Sequence, residues 1–137
     1  MPDMTESHPG PRHVVERLFA AFAAGDLDAL LDTVHPDSRW TYIGANPRRT
    51  RAELRGHDEV RRFFARILER LDMSAYEPTE WVEQGETAVV FGFEAGTVRR
   101  TGETFRNEWT QKYVVRDGRV VEMAEYNVQV EPPEERR

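Results

Sequence analysis

Between Phe105 and Val130 the chain specifies its own reversal. Asp117-Gly118 separates two runs of alternating apolar residues, FRNEWTQKYVVR and RVVEMAEYNVQV. A two-residue type I′ turn needs positive φ at both central positions, and Asp-Gly supplies it at little steric cost. A hairpin of this length excludes an all-helical fold and demands a sheet with a buried face. Strand parity then sorts its first arm. Phe105, Asn107, Trp109, Gln111 and Tyr113 share one face, and Arg106, Glu108, Thr110 and Lys112 share the other. The odd face is the more apolar and is expected to turn inward. Its mixture of rings and amides fits a ligand cavity, whose walls are mostly apolar with a few placed polar groups. Asn107, Trp109 and Gln111 are therefore candidate ligand contacts. A plainer role for the two amides is to bond each other or buried water.

Upstream the apolar period is helical. Val14, Val15, Leu18, Phe19 and Phe22 form a stripe over Arg12–Ala24, closed by Gly25. Asp26 is placed to cap a short second helix, LDALLDTV, ended by His35-Pro36-Asp37. A third helix is expected over Asp58–Leu71, with Val60, Phe63, Phe64, Ile67, Leu68 and Leu71 on one side. Asp58 and Glu59 in its first turn complement the helix dipole. Trp40–Ile43 reads as a short strand and Gly44–Arg55 as an Arg-rich loop.

From residue 76 the period becomes 2. Thr79–Glu83 and Thr87–Arg99 are expected strands, turned at Gln84-Gly85-Glu86 and again at Arg100-Thr101-Gly102. On the second of them Val89, Phe91, Phe93 and Ala95 form the apolar side, which leaves Glu94 exposed or at a dimer interface. Gly92 and Gly96 read as bends that curve the sheet. Consecutive antiparallel strands with helices gathered on one side define the α+β class. Trp40 and Tyr42 share a strand face and, with Phe63 and Phe91, complete the candidate wall. An indole or phenol suits that place because each has an apolar body and one polar handle, although core packing uses the same property.

The rest of the sequence mostly excludes. At 137 residues the chain makes one domain, expected over 12–130 between flexible tails at 1–11 and 131–137. A net charge of −6, with arginines interleaved among acids, argues against a nucleic-acid or anionic-membrane partner. The absence of cysteine removes thiol nucleophiles, disulfides and zinc-thiolate sites, and fits a cytoplasmic protein. No histidine pair has metal-ligand spacing, so no metal is expected, and no serine has a nucleophile-elbow context, so a Ser-His-Asp hydrolase is not expected; no other cofactor is expected either. Lys112, the only lysine, sits among charged residues in mid-strand and is expected at the surface.

The order of motifs resembles one family. Gly85-Glu86-Thr87-Ala88-Val89-Val90, Thr101-Gly102, Trp109, Asp117-Gly118-Arg119-Val120 and Glu125-Tyr126, after a Gly56-led third helix, are similar to the SnoaL-like branch of the NTF2-like superfamily, which includes ketosteroid-isomerase-related proteins. The resemblance covers about residues 12 to 130. It implies a cone-shaped fold: three N-terminal helices packed on a curved antiparallel sheet around a hydrophobic pocket. It also implies a small hydrophobic, oxygenated ligand and a homodimer. Isomerases, cyclases, hydrolases and non-catalytic proteins share that fold, so the fold leaves the reaction open.

Two departures from the family pattern bear on chemistry. SnoaL-like cyclases often carry an acid two positions after the site aligned with Tyr126, and here that position is Val128. The helix-one tyrosine of steroid isomerases is replaced by Phe19 and Phe22. The resemblance turns Ala124, Tyr126 and Val128 inward, whereas the opposite parity turns Met123, Glu125 and Asn127 inward, and a bulge would allow a mixture. Glu125, if inward, is the candidate general base, and Tyr126 the candidate hydrogen-bond donor to a ligand oxygen.

Overall fold

The computed structural model describes residues 9–44 and 51–131. Most of the expected tails, at 1–8 and 132–137, and positions 45–50 of the expected loop lie outside the described residues. Helix α1 runs Pro11–Ala24 and α2 Leu27–Asp32; strands β1 (Val34–Gly44) and β2 (Arg51–Arg55) precede α3 (Gly56–Arg70). Four strands follow: β3 (Leu71–Gln84), β4 (Thr87–Val98), β5 (Thr104–Arg116) and β6 (Arg119–Gln129). They form one curved, open sheet in the order β2-β1-β6-β5-β4-β3. All neighbours are antiparallel except β1 and β6, which run parallel. The three helices and this sheet are the expected α+β arrangement.

Local chemistry explains the element ends. Pro11 starts α1, where its missing N–H would have had no partner. Gly25 ends it at φ 69°; its N–H donates to the Phe22 carbonyl and that of Asp26 to the Ala21 carbonyl, the Schellman pattern. The Asp26 carboxylate caps α2 by accepting from the Ala29 N–H at 3.0 Å. Asp117 and Gly118 take φ of 54° and 79°, as the type I′ turn requires.

The strands exceed their sequence-based lengths. The expected loop at 51–55 is instead edge strand β2, where only Ala52 and Leu54 are partly buried between exposed charges. Strand β3 begins at Leu71, eight residues before the expected start, and reaches across Asp72 and Pro78. It is an edge strand with register shifts at Met73/Ala75 and Pro78/Glu80, the setting in which proline is tolerated.

The core lies between the inner sheet face and the helices. Val14, Val15, Leu18 and Phe22 of α1 and Val60 and Phe64 of α3 meet Val90, Trp109, Tyr113 and Met123 of the sheet. The parity expected for β4 is inverted. Ala88 and Val90 are buried, and Phe91 faces out at 37% exposure. Glycines explain the inversion: Gly92 pairs with Trp109 and Gly96 with Phe105, and those rings lie over the space a side chain would occupy. A Cβ at Gly92 would stand 2.4 Å from the Glu77 carbonyl oxygen and 2.5 Å from the Trp109 ring. Gly92→Ala is therefore expected to destabilise the fold by about 2 kcal/mol, as overpacking does. A urea midpoint within error of wild type would refute that tight packing.

Candidate functional site

A cavity of about 270 Å³ opens between α1, α3 and the inner sheet face. Leu18, Phe19 and Phe22 of α1 and Phe63, Phe64 and Ile67 of α3 form its apolar side. The sheet supplies the polar side: Glu94 from β4, Asn107, Gln111 and Tyr113 from β5, and Glu125 and Asn127 from β6. Tyr42 of β1 and Tyr76 of β3 close the ring of aromatic groups.

A β-bulge sets which acid enters. Val115 pairs with Val120 but Val114 with Glu122, so Val121 is the extra residue on β6. Val120 points inward, and beyond the bulge Met123, Glu125 and Asn127 do so. Both families of sequence parity thus meet on one strand. The parity implied by the resemblance is overturned: Tyr126 and Val128 are 53% and 59% exposed.

Glu125 is 8% exposed and held at both oxygens. The Gln111 amide donates to Oε1 at 2.8 Å and the Asn127 amide to Oε2 at 3.0 Å. Gln111 also donates to the Tyr76 hydroxyl oxygen at 2.8 Å and accepts from the Tyr113 hydroxyl at 2.7 Å. This network locks the Gln111 amide in one orientation. Burial, reinforced by the nearby charge of Glu94, pushes the Glu125 carboxyl up to about 7, against a smaller opposing pull from Asn127 and Gln111. Burial also raises the Glu94 carboxyl, which accepts from the Asn107 amide at 2.7 Å. The phenols of Tyr42, Tyr76 and Tyr113 are raised, chiefly by burial, and stay protonated at neutral pH. A carboxyl near neutrality beside fixed neutral donors can take or give a proton without further rearrangement.

Of the candidates from sequence, Tyr42, Phe63, Asn107, Gln111 and Glu125 line this cavity. Trp40, Phe91, Trp109 and Tyr126 do not. Trp40 is fully buried and donates from Nε1 to the Ser38 hydroxyl at 2.6 Å. Trp109 stacks on Tyr76 with ring centroids 5.1 Å apart, so both indoles serve packing. Phe91 and Tyr126 border a groove on the opposite, outer sheet face. Glu94, expected outside, faces the cavity because it shares inner parity with Gly92 and Gly96. Sequence reasoning missed both it and Tyr76. The paired glycines opposite bulky β5 residues were the signal that would have found Glu94.

Residues 15–123 match the model of the SnoaL-like domain. A solved NTF2-like protein from Burkholderia xenovorans LB400 is 32% identical, with a TM-score of 0.76 over 89% of this chain and 92% of its own. TerC, solved with polyporic acid, is 25% identical, with a TM-score of 0.69 over 84% of this chain and 88% of its own. The ECF RNA polymerase sigma factor SigJ of Mycobacterium tuberculosis is 42% identical over 73 residues, 50% of this chain. The chain matches only 23% of that sigma factor's length.

Proposed function

Because the chain belongs to the SnoaL-like domain family, with an NTF2-like fold, we propose that its cavity binds a small, largely apolar, oxygenated organic molecule and moves a proton on it. The reaction is of the isomerase, cyclase or hydrolase kind. Glu125 is the proton carrier, Gln111 and Asn127 orient its two oxygens, and Tyr42 and Phe63 flank the ligand. The observation that carries this reading is Glu125 itself: a buried carboxyl on the cavity wall, pushed up to about 7 and fixed at both oxygens. TerC, crystallised with polyporic acid, supports a small organic ligand for this fold. Tyr126 takes no part, since it lies on the outer face.

The test is a turnover screen of small apolar ketones, enones and epoxides with wild type and Glu125→Gln. Wild type is expected to turn over at least one class, with a rate that rises as pH passes through about 7 and Glu125 ionises. The variant should lose at least ~100-fold in rate, the usual scale of a general base, while its affinity for these uncharged compounds changes less than about threefold. Equal turnover by the variant would remove Glu125 from the chemistry.

A second reading is a ligand-binding module without turnover. It is supported by the similarity to a segment of SigJ, a far longer protein, and by the apolar Val128 at the position where SnoaL-like cyclases often carry an acid. Saturable binding with no turnover of any class would select it. Under either reading we propose a homodimer through the outer sheet face, where Phe91, Tyr126 and Val128 are exposed. Light scattering at the mass of one chain would reject that. Among the described residues no helix is long and apolar enough to cross a membrane. The cysteine-free composition supports a cytoplasmic site.

A further inference from the structure

The charge of the cavity narrows the chemistry of its ligand. Among the described lining residues only Glu94 and Glu125 are ionic; none is arginine, lysine or histidine. The hydrogen bonds described to their carboxylates come from neutral amides: Asn107 to Glu94, and Gln111 and Asn127 to Glu125. Ion pairs among the described residues all join exposed side chains elsewhere. Two carboxyls therefore line one cavity with no described counter-cation. Holding carboxyls out of water without a cationic partner is costly.

Around the same space stand the rings of Phe19, Phe22, Tyr42, Phe63, Tyr76 and Tyr113. Tyr42 and Phe63 stack with centroids 4.3 Å apart. Aromatic faces carry negative quadrupole charge and attract cations, with quaternary ammonium ligands as the recurring case. The carboxylates and the aromatic lining thus favour the same ligand charge. A ligand carboxylate or phosphate would add negative charge beside these carboxyls where no described lining group offsets it.

We propose that the ligand is an organic cation: a small amine, protonated or quaternary, on an apolar body, with its nitrogen held near Glu94 and Glu125 against the rings. This rests on the reading of the cavity as a ligand site and specifies its occupant. It gives Glu94 a role, the second half of a cation-binding pair. The oxygenated part of the molecule is left to the phenol groups. Because a bound cation favours the ionised carboxyl, binding near neutral pH should expel the proton that Glu125 holds.

The experiment compares phenyltrimethylammonium, its uncharged isostere tert-butylbenzene, and benzoate, by amide chemical-shift titration at pH 7.0. Calorimetry in two buffers of different ionisation enthalpy counts released protons. Phenyltrimethylammonium is expected to bind at least ~10-fold tighter than tert-butylbenzene, the scale of a desolvated cation–π contact, and to release a fraction of a proton that tert-butylbenzene does not. Glu94→Gln should remove most of that preference and leave tert-butylbenzene binding unchanged; its melting temperature reports that it is folded. Equal binding of the isostere, or tighter binding of benzoate, would overturn the cation and leave the cavity as a ligand site. Binding of none of the three would overturn both.

Discussion

Trp40→Ala is expected to cost about 4 kcal/mol of stability, near the upper range for a buried aromatic residue. The indole is fully buried and packs edge-on to Phe64 and Tyr113, with centroids 5.7 and 6.2 Å away. Alanine would leave a void among three elements, because β1 brings Trp40 against α3 and β5. It would also strip the Ser38 hydroxyl, itself fully buried, of the Nε1–H donor it now has. Trp40→Phe separates the two losses: most of the ring volume stays, the N–H goes, and the expected cost falls to about 2 kcal/mol. Urea unfolding of both variants measures this. Because Trp40 is absent from the cavity wall, Trp40→Phe should leave ligand affinity within about threefold. A strong loss of affinity in that folded variant would return Trp40 to the site; a cost near zero for Trp40→Ala would contradict the packing.

The case of Trp40 shows where sequence reading reaches its limit. Parity placed Trp40 and Tyr42 on one face correctly, and their rings lie 6.5 Å apart. Which end of that face is packed and which is open depends on where α3 crosses it, and periodicity carries no such information. The β5 face was legible for a different reason. Trp109, Gln111 and Tyr113 alternate with Thr110 and Lys112 without interruption, and all three are almost fully buried. Strand β4 misled because its largest residues, Phe91 and Phe93, lie on the outer face, while its inner positions are small or acidic: Ala88, Val90, Gly92 and Glu94. Its inner volume comes from Trp109 and Phe105 on the neighbouring strand, a pairing invisible within β4 alone. On β6 the ambiguity was real, since the bulge at Val121 reverses parity partway along the strand. Charge-rich β2 and proline-bearing β3 were hidden because edge strands need only half-buried faces and tolerate both residue types.

Those same inner positions make the site costly to fold. Removing the Glu125 charge is expected to stabilise the protein, by an amount that depends on pH. In the folded chain Glu125 holds its proton up to about 7, against an ordinary value of 4.5. Below 4.5 the folded and unfolded forms both carry the proton, and the group opposes folding least. As pH rises toward 7, unfolded chains release the proton while folded ones keep it, so stability falls along that interval. Above 7 the loss is complete, about 3 kcal/mol for a shift of this size. Glutamine at this position does not titrate. Glu125→Gln should therefore gain about 3 kcal/mol relative to wild type between pH 4 and pH 8, read from urea unfolding across that range. Among the described residues, the other ionisable groups lining the cavity with Glu125 are Glu94 and the phenols of Tyr42, Tyr76 and Tyr113. The phenols stay protonated throughout, because burial raises them above 10. Glu94 titrates too, and its charge helps to raise Glu125; Glu94→Gln should thus reproduce part of the gain, and the double variant should gain less than the sum of the two. A difference between Glu125→Gln and wild type that stays flat from pH 4 to pH 8 would mean that Glu125 is charged in the folded protein at mild acidity. A carboxyl already ionised there would be a weaker base than the proposed reaction asks for. The size of this stability gain is thus a direct measure of how far the fold has tuned the residue for proton transfer.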